Sequence, residues 1–340
     1  MIIVSLRSSS YGQHDGCPQS YMLQYLLNYK TPSGKAAAMG NVLHKALELL
    51  AHQKLCEQEG RKVFEDDGLG EIDATILTPR LAVDMAYGYY SRVEDHISFS
   101  AADLRQCHKW MEMTLSYENG LYDPRKRTIV APEQKFNIVI KEDWARYDYT
   151  LQDGQKIEGY LELQGTMDLI TKIDEETYEC VDWKFGAKAT DWNAKTLPAN
   201  GSFPQKDYKK FLKDPQLLIY FYAARTIFPK IPNIIFTINY VRDIGPTTLA
   251  FDDADYLYAE KIIKEKFLEI KRDRRPELRK GKRCDFCWFA KNQYKETGLT
   301  YCDFFDKAVS KHGVDGVFEK YGQRDKLGEY QDGGGRRAKE

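Results

Sequence analysis

The sequence predicts an α/β protein in which helices flank a mixed central sheet. Three features of the 340-residue chain indicate this class: a strand hairpin over residues 164–186, an apolar helical stripe that begins near Lys35, and a buried strand at 234–238. Because 42% of the residues are hydrophobic, the chain has enough apolar side chains to bury a sizeable core.

In chain order, residues 1–16 are polar and predict an extended segment. Cys17-Pro18 then begins a helix, with proline at a position that tolerates it. The next helix is predicted from Lys35 to about Leu55. Its apolar residues recur at i, i+4, i+7, i+8 and i+11, the spacing of a buried stripe: Met39, Leu43, Ala46, Leu47 and Leu50.

The remaining elements are predicted by alternation and capping. Strands begin near Thr128, and a second run lies at 147–151. Beyond the hairpin, Asp214-Pro215 supplies an N-cap and a first-turn proline for a helix that ends near Phe228. A long charged helix is expected over residues 252–275.

We expect a single domain over residues 1–305, with a mainly helical insertion at about 56–127. A C-terminal extension covers 306–340, and its last ten residues predict disorder. The chain has no run of about 18 apolar residues that would predict a membrane span, and its N-terminus lacks the pattern of a signal peptide. The expected location is therefore cytoplasmic, where the seven cysteines would stay reduced.

The charge distribution is uneven although the net charge is −1. The stretch from Lys261 to Arg283 contains 11 Lys or Arg residues and 4 Asp or Glu residues, and Lys206–Lys213 is a second basic stretch. A solvated helix face is the simpler interpretation of such a run. Contact with a phosphate backbone is the alternative.

The hairpin carries the side chains that predict chemistry. If its acidic turn is residues 174–176, counting back along the strands places Asp168 directly opposite Asp182. Facing residues of antiparallel strands have Cβ atoms roughly 5 Å apart, a distance at which two carboxylates repel each other and favour a bound cation. Lys184 lies two residues beyond Asp182 and therefore points to the same face.

Four motifs occur in order: Gly40-x-x-x-His44-x-x-x-Glu48, Gly165-x-x-Asp168, Asp182-x-Lys184 and Gln216-x-x-x-Tyr220. In their strand and helix contexts they resemble the PD-(D/E)xK nuclease superfamily, specifically its RecB-like exonuclease branch. That branch includes CRISPR-associated exonucleases and the nuclease domains of helicase–nuclease complexes. The resemblance covers roughly residues 8–50, 128–228 and 284–302, and it implies a restriction-endonuclease-like fold. Gly40, the glycine of the first motif, would allow its helix to pack closely.

The resemblance implies phosphodiester hydrolysis that uses one or two metal ions. Asp168 and Asp182 would bind Mg²⁺ or Mn²⁺, which favour carboxylate oxygens. His44 would add an imidazole ligand, and the backbone carbonyl of Trp183 would add another. Lys184 would orient or activate the attacking water and offset charge at the phosphate.

Further polar residues have two interpretations each. Gln216 and Tyr220 share a helix face, where the branch places a pair near the active site and in contact with DNA. A core tyrosine and a first-turn glutamine are the alternative. Glu48 is either a partner that holds the histidine or a surface contact, with the surface contact slightly favoured. Glu133 precedes a strand and is either an extra acidic residue near the site or exposed to solvent.

The cysteines form a second group. Cys17 lies near the start of the chain, and Cys284-x-x-Cys287 and Cys302 lie near its end. The resemblance implies that these four hold a [4Fe–4S] cluster, as in the iron–sulfur members of the branch, and a zinc ion bound by four cysteines is the alternative. A separate set of cysteines is expected to be buried thiols: Cys56, Cys107 and Cys180.

The function that these predictions favour is a metal-dependent DNA exonuclease used in recombination, repair or phage DNA processing. Its substrate would be DNA that is single-stranded or has a free end. The alternatives are a structure-specific endonuclease or nickase of the same superfamily, and a non-catalytic DNA-binding subunit. The chain lacks the Gly-x-x-x-x-Gly-Lys-Ser/Thr motif of a motor, so a helicase or recombination partner would be a separate chain.

Overall fold

The structure is a computed structural model, and it describes residues 1–186, 208–241 and 245–328. Within these residues the strands are β1 (Ser5–Leu6), β2 (Val63–Asp66), β3 (Gly70–Asp73), β4 (Thr128–Val139), β5 (Arg146–Thr150), β6 (Lys156–Tyr160), β7 (Glu162–Lys172), β8 (Thr177–Lys184), β9 (Asn233–Tyr240) and β10 (Gly245–Ala250). The helices are α1 (Ser8–Gly16), α2 (Pro18–Tyr21), α3 (Lys35–Glu59), α4 (Pro79–Val93), α5 (Ala101–Ser116), α6 (Tyr208–Phe211), α7 (Pro215–Ile227), α8 (Asp253–Arg272), α9 (Trp288–Lys291) and α10 (Tyr301–Tyr321).

The central sheet is mixed, as predicted. Strand β7 pairs antiparallel with both β4 and β8. Strand β8 pairs parallel with β9, which in turn pairs antiparallel with β10, and the short β1 pairs parallel with β7. Two further hairpins, β2–β3 and β5–β6, lie outside this sheet.

Strand β8 pairs only with the carboxyl-terminal part of β7 and separates from its amino-terminal part. Strand β4 pairs with β7 along its whole length and so occupies one edge. On the other edge, the pairing with β8 ends at Leu169–Val181, and β1 takes over at Glu162 and Leu163. The sheet therefore has an opening beside the middle of β7, and Asp168 lies there.

Helices cover both faces of the sheet, which confirms the predicted architecture. On one face α3 packs with α4 and α5, and its Leu43 and Leu47 belong to the same buried cluster as Val181 and Trp183. On the other face α7, α8 and α10 contribute to the main core, in which Phe221 packs against Phe236 of β9. The hairpin thus lies between two layers of helices.

Helix α3 has the predicted apolar stripe. Met39, Leu43, Ala46, Leu47 and Leu50 are all buried. The helix continues to Glu59, one turn beyond the predicted end near Leu55. It ends at Gly60, whose φ of 68° lies in the left-handed region that glycine adopts at low cost.

The prediction of an extended segment over residues 1–16 is wrong. Residues 8–16 form helix α1, and Met1, Ile2 and Ile3 are buried in the main core. The Ser-Ser-Ser-Tyr-Gly sequence of α1 has little helix propensity, and the helix instead packs against α2 and α7. Tertiary contacts that the local sequence does not encode therefore decide this conformation.

The predicted helical insertion contains more than helices. Its first residues belong to the last turn of α3, and the β2–β3 hairpin follows before α4 and α5. Thr78 and Ser100 accept hydrogen bonds as the N-caps of α4 and α5. The hairpin was missed because each strand has four residues with little apolar alternation.

Helix α10 runs through the boundary expected between residues 305 and 306. Its Phe305, Val309 and Phe318 are buried in the main core. This part of the expected extension therefore packs with the sheet rather than apart from it. The last ten residues, for which disorder is predicted, lie outside the described residues.

The basic stretch at Lys261–Arg283 is only partly exposed. Lys266 is 4% exposed, and its ammonium contacts Asp15 and Glu269. It cannot meet a phosphate without breaking those contacts, whereas Arg274 and Lys280 keep 69% and 76% of their side-chain surface. Most of the second basic stretch lies outside the described residues. Among the helices that the structure describes, none is both long and apolar enough to cross a membrane.

Candidate active site

The hairpin has the register that its turn predicts. Ile173 N–H donates to the Thr177 carbonyl at 3.0 Å, and the last paired residues are Leu169 and Val181. One further step in this register places Asp168 opposite Asp182. The two strands have begun to separate there, so the carboxylate of Asp168 accepts the Trp183 N–H at 2.9 Å.

Helix α3 brings His44 to this opening. Its Nδ1 lies 3.2 Å from Asp168 Oδ2, and its ring meets the Phe185 ring edge-on at a centroid distance of 5.4 Å. The apolar stripe of α3 faces the sheet, so this neighbouring position reaches the point where the strands part. The structure therefore places the predicted histidine beside the first predicted carboxylate.

Lys184 and Gln216 reach the second carboxylate. The ammonium of Lys184 lies 2.8 Å from both oxygens of Asp182, but only the contact to Oδ1 has hydrogen-bond geometry. Gln216 Nε2 approaches the same Oδ1 at 3.4 Å from the first turn of α7, whose predicted N-cap Asp214 is confirmed. Asp182 Oδ2 is buried and accepts no hydrogen bond in the described parts of the chain.

The surroundings shift the pKa values of the two aspartates in opposite directions. Burial alone would raise the pKa of Asp168, but His44, Lys184 and the Trp183 N–H hold it below its ordinary value. Burial alone would lower the pKa of His44, whereas the Asp168 carboxylate raises it. For Asp182, burial raises the pKa despite the lysine beside it.

This donor set fits a divalent cation. Two carboxylates are ligands that both Mg²⁺ and Mn²⁺ favour, and an imidazole is a ligand that suits a transition metal better than Mg²⁺. The buried Oδ2 of Asp182 lies 2.8 Å from the Lys184 ammonium but accepts no hydrogen bond of normal geometry, and such atoms are rare in folded proteins. A cation there would also supply the positive charge that keeps both acids ionised.

Gly165 is required for close packing in the second motif. A Cβ at this position would lie 2.5 Å from Phe136 Cζ and 3.3 Å from Tyr220 Cε1. The tyrosine ring therefore packs beside the strand that carries Asp168. Burial, followed by the charges of the two aspartates, raises the pKa of Tyr220 to about 12, so its hydroxyl remains a donor at neutral pH.

The role predicted for Gly40 is wrong. A Cβ at Gly40 would have no atom within 4 Å, so no close approach at this position requires glycine. The glycine of the first motif thus differs from Gly165, although both occupy motif positions in the sequence.

Glu48 and Glu133 lie together on the side of α3. Glu48 accepts a hydrogen bond from Lys45 at 3.0 Å. Burial, and then the charge of Glu133, raises the pKa of Glu48 to about 9. Glu133 has a left-handed φ of 45° between two β4 residues that pair with Leu169 and Met167, so it lies across the strand from the first aspartate. The favoured interpretation of Glu48 as a surface contact is wrong, because 12% of its side chain is exposed.

The four cysteines predicted to act together converge from the two ends of the chain. A hydrogen bond with Cys302 lowers the pKa of the Cys287 thiol to about 6. The same hydrogen bond, burial and the nearby charges of Cys287, Cys17 and Cys284 raise that of Cys302. The other three cysteines are buried and free, as expected: Cys56, Cys107 and Cys180.

Some residues beside the site were not predicted. The Ser8 hydroxyl bonds to Tyr220, and the Arg7 guanidinium donates to Gln164 Oε1 in the strand that carries Asp168. Both residues lie in the segment that was expected to be extended. No sequence signal identifies them, because their partners are more than 150 residues away.

The PD-(D/E)XK nuclease superfamily profile matches residues 8–291. The chain belongs to this superfamily. The family implies a nuclease with DNA as its substrate, and its members usually require divalent metal ions. The mixed sheet flanked by helices is consistent with the restriction-endonuclease-like fold of the family. The matched range contains both aspartates of the hairpin, His44 and Lys184.

Other comparisons give fold likeness at most. No curated protein sequence matches the chain. Among the solved structures that match is one from Eubacterium rectale described as a "Putative exonuclease". It shares 11% sequence identity, with a TM-score of 0.47, over 88% of this chain and 92% of the other.

Proposed function

We propose that this chain is a metal-dependent DNA exonuclease of the RecB-like branch and that the β7–β8 hairpin is its active site. One observation carries the proposal: the buried, unbonded oxygen of Asp182 lies in the opening of the sheet where Asp168, His44 and Lys184 also meet. Acidic, imidazole and ammonium groups converge there from two strands and one helix.

In this proposal Asp168, Asp182 and His44 hold Mg²⁺ or Mn²⁺, and the carbonyl of Trp183 is a further ligand. When bound, the cation supplies Lewis-acid polarisation of the scissile phosphate and activation of the attacking water. The Trp183 N–H and His44 orient the first carboxylate through contacts of 2.9 Å and 3.2 Å.

Lys184 has the second role. Its ammonium lies against Asp182, where it would orient the attacking water and offset the charge that develops on the phosphate. Gln216 steadies the same carboxylate, and Tyr220 presents a protonated hydroxyl that can donate to DNA. Glu133, which shares contacts with Glu48, would support the site from the adjacent strand.

Exonuclease action is favoured over endonuclease action by the four ordered motifs of the RecB-like branch. The test is digestion of end-labelled linear DNA and of a closed circle of the same sequence, with Mg²⁺ or Mn²⁺. We expect mononucleotides or short products from the linear DNA and an intact circle. Cleavage of the circle would identify the structure-specific endonuclease or nickase.

A non-catalytic DNA-binding subunit is the remaining alternative. It would bind the labelled DNA and leave both substrates uncut with either metal ion. Asp168→Asn is the matched control for contaminating nucleases, because the variant keeps the size of the side chain. A separate helicase or recombination partner would raise the rate on duplex DNA without changing the products.

We also infer that Cys17, Cys284, Cys287 and Cys302 hold a [4Fe–4S] cluster. The sulfurs of Cys287 and Cys302 are close enough to form a hydrogen bond, and the charges of Cys17 and Cys284 act on Cys302. The resemblance to the iron–sulfur members of the branch favours this cluster over a zinc ion bound by the same four thiolates.

The cluster would connect the segment between α1 and α2 to the segments around α9 and α10. Protein purified without oxygen should be brown and contain about four irons per chain. Removal of the metal should unfold this region and lower activity indirectly. Colourless protein with one bound zinc ion would favour the alternative, and Cys284→Ser protein with unchanged stability and metal content would contradict both.

A further inference from the structure

A buried histidine outside the active site makes no hydrogen bond of normal geometry, and its nearest polar neighbours are the carboxylates of Glu269 and Asp273. His14, in the last turn of α1, is 2% exposed, and neither of its ring nitrogens forms a hydrogen bond with any described group. The Tyr21 ring packs against the imidazole nearly at right angles, with the two ring centroids 5.3 Å apart. Burial of an imidazole without a partner costs free energy, so native structures rarely retain one without a reason.

Carboxylates surround this histidine at distances that are too long for hydrogen bonds. Nδ1 lies 3.6 Å from Glu269 Oε1, and Nε2 lies 3.7 Å from Asp273 Oδ2. Two ligands of one tetrahedral ion, each with a bond of about 2.1 Å, are about 3.4 Å apart. Three possible ligand atoms lie within 4.8 Å of one another, one each from His14, Asp15 and Glu269. Small movements of these side chains would bring the three atoms to ligand spacing.

Lys266 holds the two carboxylates in place. Its buried ammonium contacts Asp15 Oδ1 and lies 2.6 Å from Glu269 Oε2, and it stands 4.7 Å from the centre of the Tyr11 ring. These contacts use one oxygen of each acid, and the other oxygen of Glu269, Oε1, is the one that lies 3.6 Å from the imidazole. The lysine therefore arranges the acids without satisfying His14.

We propose that His14, Asp15 and Glu269 bind one divalent transition-metal ion, for which zinc is the best chemical match. A nitrogen and two carboxylate oxygens make a three-ligand zinc site with a fourth position open to water. Access is available from solvent, because Asp15 and Glu269 keep 54% and 52% of their side-chain surface.

The ion would fasten the end of α1 to the last turns of α8. Cys17 follows α1 directly, and Ser8 at the start of the same helix contacts Tyr220 of the candidate active site. The metal would therefore fix the helix that connects the cysteines to the active site. It would take no part in the cleavage reaction, and the inference does not depend on the proposed function.

The test is equilibrium dialysis of the full chain against Zn²⁺, with the cysteine-bound metal already in place. All proteins carry Asp182→Asn, which removes one of the three candidate side-chain ligands of the active site and weakens that site equally in every sample. Glu269→Gln keeps the size of the side chain at a half-exposed position and so should fold. Glu265→Gln is the control, because Glu265 lies one turn earlier on α8, is 63% exposed and pairs with Lys261 at 3.9 Å.

We expect Glu269→Gln to bind one zinc ion fewer per chain than its parent, or to bind it at least tenfold more weakly, while Glu265→Gln matches the parent. Zn²⁺ should raise the Tm of the parent and of Glu265→Gln but not that of Glu269→Gln. His14→Gln should behave like Glu269→Gln if it folds. Equal zinc stoichiometry and affinity in the parent and Glu269→Gln would overturn the proposal, whatever the result for His14→Gln.

Discussion

Two buried acids on β8, three residues apart, have different surroundings. Glu179 is 6% exposed; it pairs with Arg127 and accepts hydrogen bonds from Thr171 at 3.2 Å and Thr237 at 2.6 Å. Asp182 is 8% exposed, and the Lys184 ammonium lies 2.8 Å from both of its oxygens, yet Oδ2 accepts no hydrogen bond of normal geometry. The first carboxylate is fully satisfied by the protein, and the second retains capacity for a ligand.

The completeness of pairing separates a structural acid from a functional one on the same strand. A buried charge that is completely paired holds the sheet together, and removal of one partner is costly. A buried charge that is incompletely paired costs stability and is retained where a function needs it. Glu179 should therefore matter for folding, and Asp182 for metal binding and cleavage.

The largest expected effect is on cleavage. Asp182→Asn should lower the cleavage rate by about 10³-fold or more, the scale of losing one key electrostatic group in an active site. Its free energy of unfolding should fall by less than removal of the Glu179 charge would cause, because Lys184, which loses its charged partner, is 38% exposed and can be solvated, whereas Arg127 is 19% exposed. Rate measurements on labelled linear DNA and urea denaturation of the same sample check the two parts. A large loss of stability would place Asp182 in the same class as Glu179.

Glu179→Gln should show the reverse pattern. Loss of the charge leaves the Arg127 guanidinium without its buried partner, and the free energy of unfolding should fall by about 3 kcal/mol. Activity per folded molecule should be unchanged, as measured under conditions where the variant is fully folded. A selective loss of activity in a stable Glu179→Gln protein would break the distinction between the two acids.

His44→Ala tests whether helix α3 contributes a ligand to the same metal ion. As a ligand next to Asp168, this residue should contribute about 10- to 100-fold to Mn²⁺ affinity. The control is Leu43→Ala, which should lower stability by about 2 to 5 kcal/mol and leave the affinity unchanged. Calorimetric titration with Mn²⁺ gives both affinities, and equal values for wild type and His44→Ala would assign the histidine a structural role.

The smallest expected effects concern two motif glycines. Gly165→Ala should lower stability by about 1 to 3 kcal/mol, because the new methyl group meets the Phe136 ring at 2.5 Å. Gly40→Ala should raise stability by up to about 1 kcal/mol, since a Cβ there meets nothing within 4 Å. Thermal unfolding of both variants measures this pair, and similar destabilisation of both would contradict the packing difference.

The hairpin was predictable because its information is local. The acidic turn fixes the register, and the register alone places Asp168 and Asp182 at opposing positions. His44 follows in the same way from the 3.6-residue period of α3, which decides the face of the helix that meets the sheet. These signals are contained in segments of about 20 residues.

The rest depends on distant contacts. Where β7 has separated from β8, β1 pairs with Glu162 and Leu163, more than 150 residues away in sequence. Helix α1 forms from a serine-rich sequence because it packs against α2 and α7. The partners of Glu179 come from three other segments, so the local sequence could not show which acid on β8 was satisfied.

Binding of Mn²⁺ to matched variants tests whether Asp182 is a metal ligand. Wild type, Asp182→Asn and Glu179→Gln would be titrated with Mn²⁺ under folded conditions and followed by electron paramagnetic resonance of the free ion. Wild type and Glu179→Gln should bind the same number of ions with the same affinity, and Asp182→Asn should lose at least one ion or bind it at least tenfold more weakly. Equal binding by Asp182→Asn and wild type would contradict the assignment of the unsatisfied carboxylate as a metal ligand.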